Sequence, residues 1–324
     1  MNKKIITISH FLLNYGFYIA LFLLVIGFSF GAPNFLTAIN FLNMMHTLAP
    51  TLIMISGLVF VVLTGAIDFS VGSIAFLSAS IGTYLMVYLD VNPLIAVFVI
   101  LVAGSLIGGI NGLIVEVVKV NPLITTFGTM LAFRGMGYLI AGAKYIPIPE
   151  SLVSIHDWRI GPVYLDIIFS VGIVVFLFFI QNRTIFGKQL MALGNGRSIA
   201  EKLSIKVKAI SFSAFVISGF FAALGSIFYM AQGSFLSPRM GQGLEFTGIA
   251  IVVIGGISLF GGEGSILGLL LGVFTVYVVE NGLQHMGLSP YIYPLLRGAI
   301  IFIAMYADSL KTRLRAKKLI RKET

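Results

Sequence analysis

The sequence contains no cysteine, which excludes disulfides, thiolate metal sites and cysteine nucleophiles together. It is also poor in charge: Asp, Glu, Lys and Arg supply 10% of the 324 residues, while 58% are hydrophobic. A soluble domain is about half apolar and about a quarter charged. With a mean hydropathy of +1.03, the chain reads as one solvated largely by lipid. Its four histidines, His10, His46, His156 and His285, are scattered without HExxH spacing, so no metal site is expected. No Gly-Lys-Ser/Thr follows any glycine-rich stretch, so nothing fits a phosphate-binding loop. Paired carboxylates and an activated nucleophile are also missing. The chain is therefore expected to be neither an enzyme nor a binder of cofactors, and to have no means of powering its own work.

What the sequence has is long apolar runs. Bounded by Pro, Gly, Asn and charge, they give ten windows at 15–31, 44–63, 71–89, 93–115, 121–141, 163–181, 209–231, 244–259, 265–281 and 290–307. A membrane-crossing helix needs about 20 mostly apolar residues. The pattern predicts an all-α polytopic bundle of about ten transmembrane helices, forming one domain over residues 1–324. Lys3 and Lys4 precede the first run, and no small-residue cleavage site follows it, so that run is read as a retained first helix.

The net charge of +9 would suit nucleic acid, but its placement suits a membrane better. If the N-terminus lies inside, one side of the bundle carries Lys3, Lys4 and Lys119. The 182–208 loop adds six more Lys and Arg there, and the tail at 309–324 adds seven. The other side carries only Lys144, Arg159 and Arg239. By the positive-inside rule, both termini and the 182–208 loop are expected in the cytoplasm, and no nucleic-acid partner is expected.

Gly104, Gly108 and Gly112 recur at every fourth position, as do Gly264, Gly268 and Gly272. This spacing lines one helix face and admits a neighbouring backbone closely. The two runs sit five windows apart, which fits an inverted repeat of five-helix halves, although small residues are common in all membrane helices.

Four segments could carry function. In Thr64-Gly65-Ala66-Ile67-Asp68-Phe69-Ser70-Val71-Gly72-Ser73, Asp68 either anchors a turn along the solute path or caps the next helix from an ordinary cytoplasmic turn. On these residues alone the cap is preferred. The glycine-rich segment from Ile254 to Ser265 reads as tight turns and close packing. In the 182–208 loop, Ser198-Ile199-Ala200-Glu201 has the form of a capping box, with Ile199 and Leu203 on one face. That is what a docking helix looks like, although its charge would also suit anionic headgroups. The outer 142–162 loop, with His156 and Trp158, could receive an extracytoplasmic partner, although a lone Trp more often anchors an interface. Within the windows, Asn111, Thr125, Thr126, Thr129, Arg134, Glu280 and Asn281 are polar. Glu280 stands out, because a carboxylate inside a membrane helix marks function by default.

At these segments the chain resembles the permease subunits of ATP-binding-cassette sugar importers, the ribose, arabinose and xylose permease family. Thr64 to Ser73 is similar to the family's Thr-Gly-Gly-Ile-Asp-Leu-Ser-Val-Gly signature. Asn111-Gly112-Leu113 with Asn121 to Thr129 and Arg134-Gly135, Phe186-Gly187 through Asn195 and Ala200, and Leu244-Glu245 through Gly264-Ser265 carry the rest, in family order. The resemblance implies partner ATPase subunits, a second permease chain, and a periplasmic or lipid-anchored solute-binding protein at the bacterial inner membrane. It implies coupling to the ATPase through Gly194, Asn195, Ala200, Glu201 and Leu203. Asp68, Asn111, Thr126 and Asn281 are placed either along the pathway or in the family's structural signature. Ala66 and Phe69 depart from the signature, and the loop lacks the glycine that usually follows its serine at Ser204, which puts the end of the coupling helix in question. The rival reading is a secondary transporter or channel driven by an ion gradient.

Overall fold

The long helices start where a side chain relieves the unpaired amides of a first turn. The computed structural model describes residues 21–299 and Phe302. After α1 (Leu21–Gly31), the Thr37 hydroxyl accepts the Asn40 amide at 3.2 Å and opens α2 (Ala38–Ser56). That start lies six residues before the expected window at 44. The helix is interrupted at Gly57 and resumes as α3 (Leu58–Leu63). After the signature turn comes α4 (Val71–Tyr88). α5 (Pro93–Leu113) and α6 (Pro122–Ala141) both open on Asn-Pro pairs. The Asn92 and Asn121 side chains each accept the second amide of their helix at 2.9 Å, and the proline has no amide to satisfy. α5 runs on through a π-helical turn at Ile114–Val118, which ends at Lys119 in the left-handed region (φ 67°).

The 142–162 loop, expected on the outer side, brings two small ribbons to the all-helical plan. β1 (Ile146–Pro147) precedes the short α7 (Glu150–Val153), and β2 (Arg159–Ile160) pairs antiparallel with β3 (Val163–Tyr164). Then follow α8 (Leu165–Arg183), α9 (Ile185–Gly194), α10 (Arg197–Lys202) and α11 (Val207–Gly233). β4 (Phe235–Leu236) pairs with β1, matching Ile146 to Leu236. α12 (Leu244–Ile254) and α13 (Ile266–His285) complete the named elements, and residues 292–299 are helical.

Seven helices among the described residues (α2, α4, α5, α6, α8, α11 and α13) are long and apolar enough to cross a membrane. The protein is a multi-pass helical membrane bundle. α12 stops at Ile254, five residues before the expected window ends, because Gly256, Gly261, Gly262 and Gly264 turn the chain with positive φ. Residues 15–20 of the first window, most of 300–307 and the basic tail at 309–324 lie outside the described residues.

The centre is formed by α2, α4 and α11, with α6 and α8 more exposed. α5 lies against α11 along its glycines: a Cβ at Gly108 would collide with the Phe215 carbonyl and reach 3.0 Å from Gly219 Cα. Gly104 meets Gly219 and Ala223, and Gly112 meets Phe212, so this run behaves as its spacing implies. The second run does so only in part. Gly268 and Gly272 pack on Gly255 and Ile251, but Gly264 precedes α13, with a φ of 137° that belongs to the loop.

Replacing Gly108 with Val is expected to destabilise the bundle by about 2 kcal/mol through overpacking. Gly128→Val on α6, where nothing lies within 4 Å, is expected to cost well under half of that. Thermal unfolding midpoints in one detergent give the comparison.

Candidate functional site

Three of the four segments singled out in the sequence meet at one end of the bundle, and the fourth, the 142–162 loop, lies at the other. Gly194, the last residue of α9, sits so close to the Leu63 carbonyl and the Gly262 amide that a Cβ there would overlap both. Gly262 N–H donates to the Leu63 carbonyl at 3.0 Å. The Asn195 side-chain amide donates to the Gly262 carbonyl at 3.2 Å and to Met191 at 2.9 Å. From the far side Gln181 completes the clamp: its amide donates to the Gly264 carbonyl (2.8 Å), and its oxygen accepts the Ile266 amide (2.9 Å). The turn after α3, the α9–α10 corner and the glycine-rich loop thus share backbone contacts. Gly65, Ala66, Ile67, Asn121, Pro122 and Phe260 surround a neighbouring cavity of about 300 Å³.

Asp68 does not cap α4 from a solvated turn, as the residues alone suggested. It is fully buried. Its carboxylate accepts the Ser70 amide (2.8 Å) and hydroxyl (2.5 Å) and the Ser218 hydroxyl of α11 (3.0 Å). Ser70 Oγ in turn accepts the Asn111 side-chain amide at 2.7 Å. A buried carboxylate is tolerated because three donors replace water. The turn takes this form so that the chain can be hydrogen-bonded where water is scarce. Thr126 Oγ1 donates to the Ile67 carbonyl at 3.1 Å. Asp68, Asn111 and Thr126 therefore tie α4, α5, α6 and α11 together, and none of them is exposed.

α10 departs from its sequence pattern as well. Ser198 is already helical and caps nothing. The N-cap is Gly196, at φ 153°, and the helix begins at Arg197, two residues earlier than a Ser198 cap would start it. Arg197 is fixed there by Glu116 of the α5 extension, through Nη1–Oε1 at 3.1 Å and Nη2–Oε2 at 2.6 Å. This fork-to-fork pair is a strong, directional contact, and it pushes the Arg197 guanidinium above its usual range. Glu201, expected to close the box, instead lies 3.5 Å from Arg197 one turn back. The missing glycine does not remove the helix stop. Ser204 itself takes the left-handed conformation (φ 57°), and Ile205 N–H reaches the Ala200 carbonyl while Ser204 N–H reaches Glu201, as in a Schellman motif. Of the residues expected to couple, Ala200 is buried, whereas Glu201 and Leu203 are exposed, with Ile199 beside them.

At the opposite end of α2 and α13 a polar cavity of about 540 Å³ opens. Asn40 and Asn281 exchange amide hydrogen bonds at 2.8 and 3.0 Å, and Glu280 is paired with Arg297 (Nε 2.8 Å, Nη2 2.5 Å). Also at that end, His46 Nδ1 lies 2.7 Å from Asp166 and Nε2 lies 2.9 Å from His156 Nδ1 of the outer loop. Gln232 donates to the same carboxylate oxygen at 2.8 Å. Tyr164 stacks on His46 at 3.8 Å between ring centres. Glu116, Asp166 and Gln181 escaped the sequence reading. The available signal was the one applied to Glu280: an acid or amide in an apolar helix requires a partner.

A multi-pass bundle with polar clamps at both ends and a polar cavity is organised as a membrane transport protein. The family of branched-chain amino acid transport system permease components matches residues 40–305, and the chain belongs to that family. It is 32% identical to the ribose import permease protein RbsC of Haemophilus influenzae, over 93% of this chain and 95% of that protein. It is 31% identical to the probable ABC transporter permease protein YphD of Escherichia coli K12 (93% and 91% covered). It is 29% identical to the galactose/methyl galactoside import permease protein MglC of the same strain (96% and 98%). No solved structure matches the chain.

Burial and the neighbouring His46 hold the His156 imidazole below its ordinary value. The folded pKa is depressed, so the loop's attachment is complete above about pH 6.5 and is lost as the pH falls through the lowered value. Hydrogen exchange of residues 150–160 is expected to speed up several-fold between pH 7.5 and 5.5, after correction for intrinsic rates. His156→Ala is expected to exchange fast at both.

Proposed function

We propose that the chain is the transmembrane permease subunit of an ATP-binding-cassette importer that carries a monosaccharide across the bacterial inner membrane. The solute would be handed over by an extracytoplasmic binding protein. The observation that carries this reading is the convergence of four family stretches on one end of the bundle, beneath the exposed Ile199–Leu203 face of α10. An exposed apolar helix face at the rim of a basic loop suits a macromolecular partner, with anionic headgroups as the competing use. Full-length relatives named for ribose and galactose import support a sugar as cargo.

In this reading residues 1–324 form one permease domain, the 182–208 loop is the coupling element and both termini are cytoplasmic, as the Lys and Arg asymmetry requires. Two permease chains, identical or related, enclose the path, and ATP is hydrolysed by partner subunits. Gly194 and Asn195 seat the coupling corner on the bundle, Ala200 packs it, and Glu201 and Leu203 face the ATPase. Movement of α10 passes through Arg197 to Glu116, and along α5 to Asn111, Ser70 and Asp68.

Glu116→Gln is expected to lower coupled uptake at least about tenfold while protein levels stay normal, since a bidentate charge-assisted contact is worth about 1.5–3 kcal/mol. Glu201→Arg is expected to uncouple uptake by reversing the charge on the docking face. Full uptake by both variants would remove α10 from the coupling role.

Purifying the tagged chain in mild detergent tests the assembly. A stoichiometric ATPase is expected, and it should be lost when 194–205 is replaced by a Gly/Ser linker. A chain free of ATPase that moves solute in liposomes under an ion gradient would overturn the importer reading in favour of a secondary transporter or channel.

A further inference from the structure

The wall of the cavity between α2 and α13 is unlike the surface of a lipid-facing helix. On α2, Asn40, Asn43 and Thr47 recur at i, i+3 and i+7, so they share one face. Across from them α13 presents Asn281 and Gln284. Asn43, Thr47 and Gln284 are exposed. Thr47 lies nine residues into α2, about 14 Å along its axis, which is too deep for headgroups alone to solvate the stripe. Among the described residues, no protein group takes up the side-chain amides of Asn43 and Gln284. In hydrocarbon such groups would be costly, so this face meets water or a polar solute.

The chemistry of the wall narrows the solute. Among the described residues that line it, the one acidic side chain, Glu280, is neutralised by Arg297, so they offer no bare charge to hold an ion. Carboxamides both donate and accept, which matches hydroxyl groups that do the same. Tyr293 adds a flat ring at the rim. The volume of about 540 Å³ falls among ordinary small-molecule sites, at about 300–1,000 Å³. A branched aliphatic side chain would leave these amides unpaired, the condition under which polar sites reject apolar ligands most strongly.

We infer that this cavity is a transient binding station for a neutral polyhydroxylated solute, with Asn43 and Gln284 as its contacting residues and the Asn40–Asn281 pair as its frame. The inference rests on the importer reading, to which it adds a place and a selectivity.

The absence of cysteine supplies the test, because a cysteine introduced at one position is the only thiol in the chain. Asn43→Cys and Gln284→Cys are expressed in cells in place of the native chain, with Phe98→Cys on the outer face of α5 as control. Uptake of D-ribose, D-galactose, D-allose and L-leucine is measured first with the native chain. Both cavity thiols are expected to react with a membrane-impermeant thiosulfonate, at least fivefold more slowly when the transported sugar is present and at an unchanged rate with L-leucine. The control should show no such protection. Asn43→Leu is expected to raise the KM for that sugar at least tenfold. If the native chain takes up a sugar while both thiols are unreactive or unprotected and the KM of Asn43→Leu is unchanged, the cavity assignment falls and the importer reading stands. If the native chain takes up L-leucine, or none of the sugars, both fall.

Discussion

The structure depends on one place where three backbones meet without side chains between them. The Leu63 carbonyl, the Gly262 amide and the Cα of Gly194 approach so closely that any residue larger than glycine at 194 would separate them. Membrane interiors leave backbone polar groups no water to fall back on. A chain that leaves helical geometry must therefore find partners, and here the Gly262 amide finds the last carbonyl of α3 while the end of α9 packs against both. Asn195 and Gln181 extend the same solution with side-chain amides. The α9–α10 corner is consequently seated on the loops that end α3 and begin α13, and motion of one of these segments strains the other two.

Much of this was legible in the sequence. Apolar run length placed the helices, and the Asn-Pro starts of α5 and α6 fell within a residue of their expected positions, because proline fixes where a first turn can begin. The Gly104–Gly108–Gly112 face was legible because close approach needs small residues on one side only. What remained hidden shares one cause, the distance along the chain between partners. Glu116 and Arg197 are 81 residues apart, and Gln181 and Gly264 are 83 apart. Local rules misled where a tertiary contact outweighed them. Ser198 and Glu201 have capping-box spacing, yet the Glu116 fork holds Arg197 inside the helix and moves its start. Asp68 resembled a cap because nothing local reveals Ser218, which lies 150 residues away.

The family description and the relatives' names point to different cargoes, branched-chain amino acids in one case and sugars in the other. The fold does not choose between them, since a helical scaffold accommodates either. The choice lies in a few wall residues. A stripe of Asn, Thr and Gln facing an ion-paired Glu280 suits hydroxyl groups better than an aliphatic side chain, and so agrees with the sugar-importing relatives.

The cavity and the α9–α10 corner lie at the two ends of the same pair of helices. The α2–α3 segment begins at the cavity with Asn40 and ends at Leu63 in the glycine clamp. α13 runs the other way, from Ser265 beside that clamp to Asn281 and His285 at the cavity wall. A helix of 20 residues is about 30 Å long, so α13 spans the distance as one rod, whereas α2 and α3 meet at the Gly57 break. A push on the α9–α10 corner therefore reaches α3 through Leu63 and α13 through Gly262 and Gln181. Because the two helices are antiparallel, tilting one against the other at the clamp changes their separation where Asn40 faces Asn281. Side chains along that route need only keep the helices rigid. Hinge-and-shear motion of packed helices has this form, and it permits ATP-driven closure at one membrane face to alter a polar station at the other without a relay of charges between them.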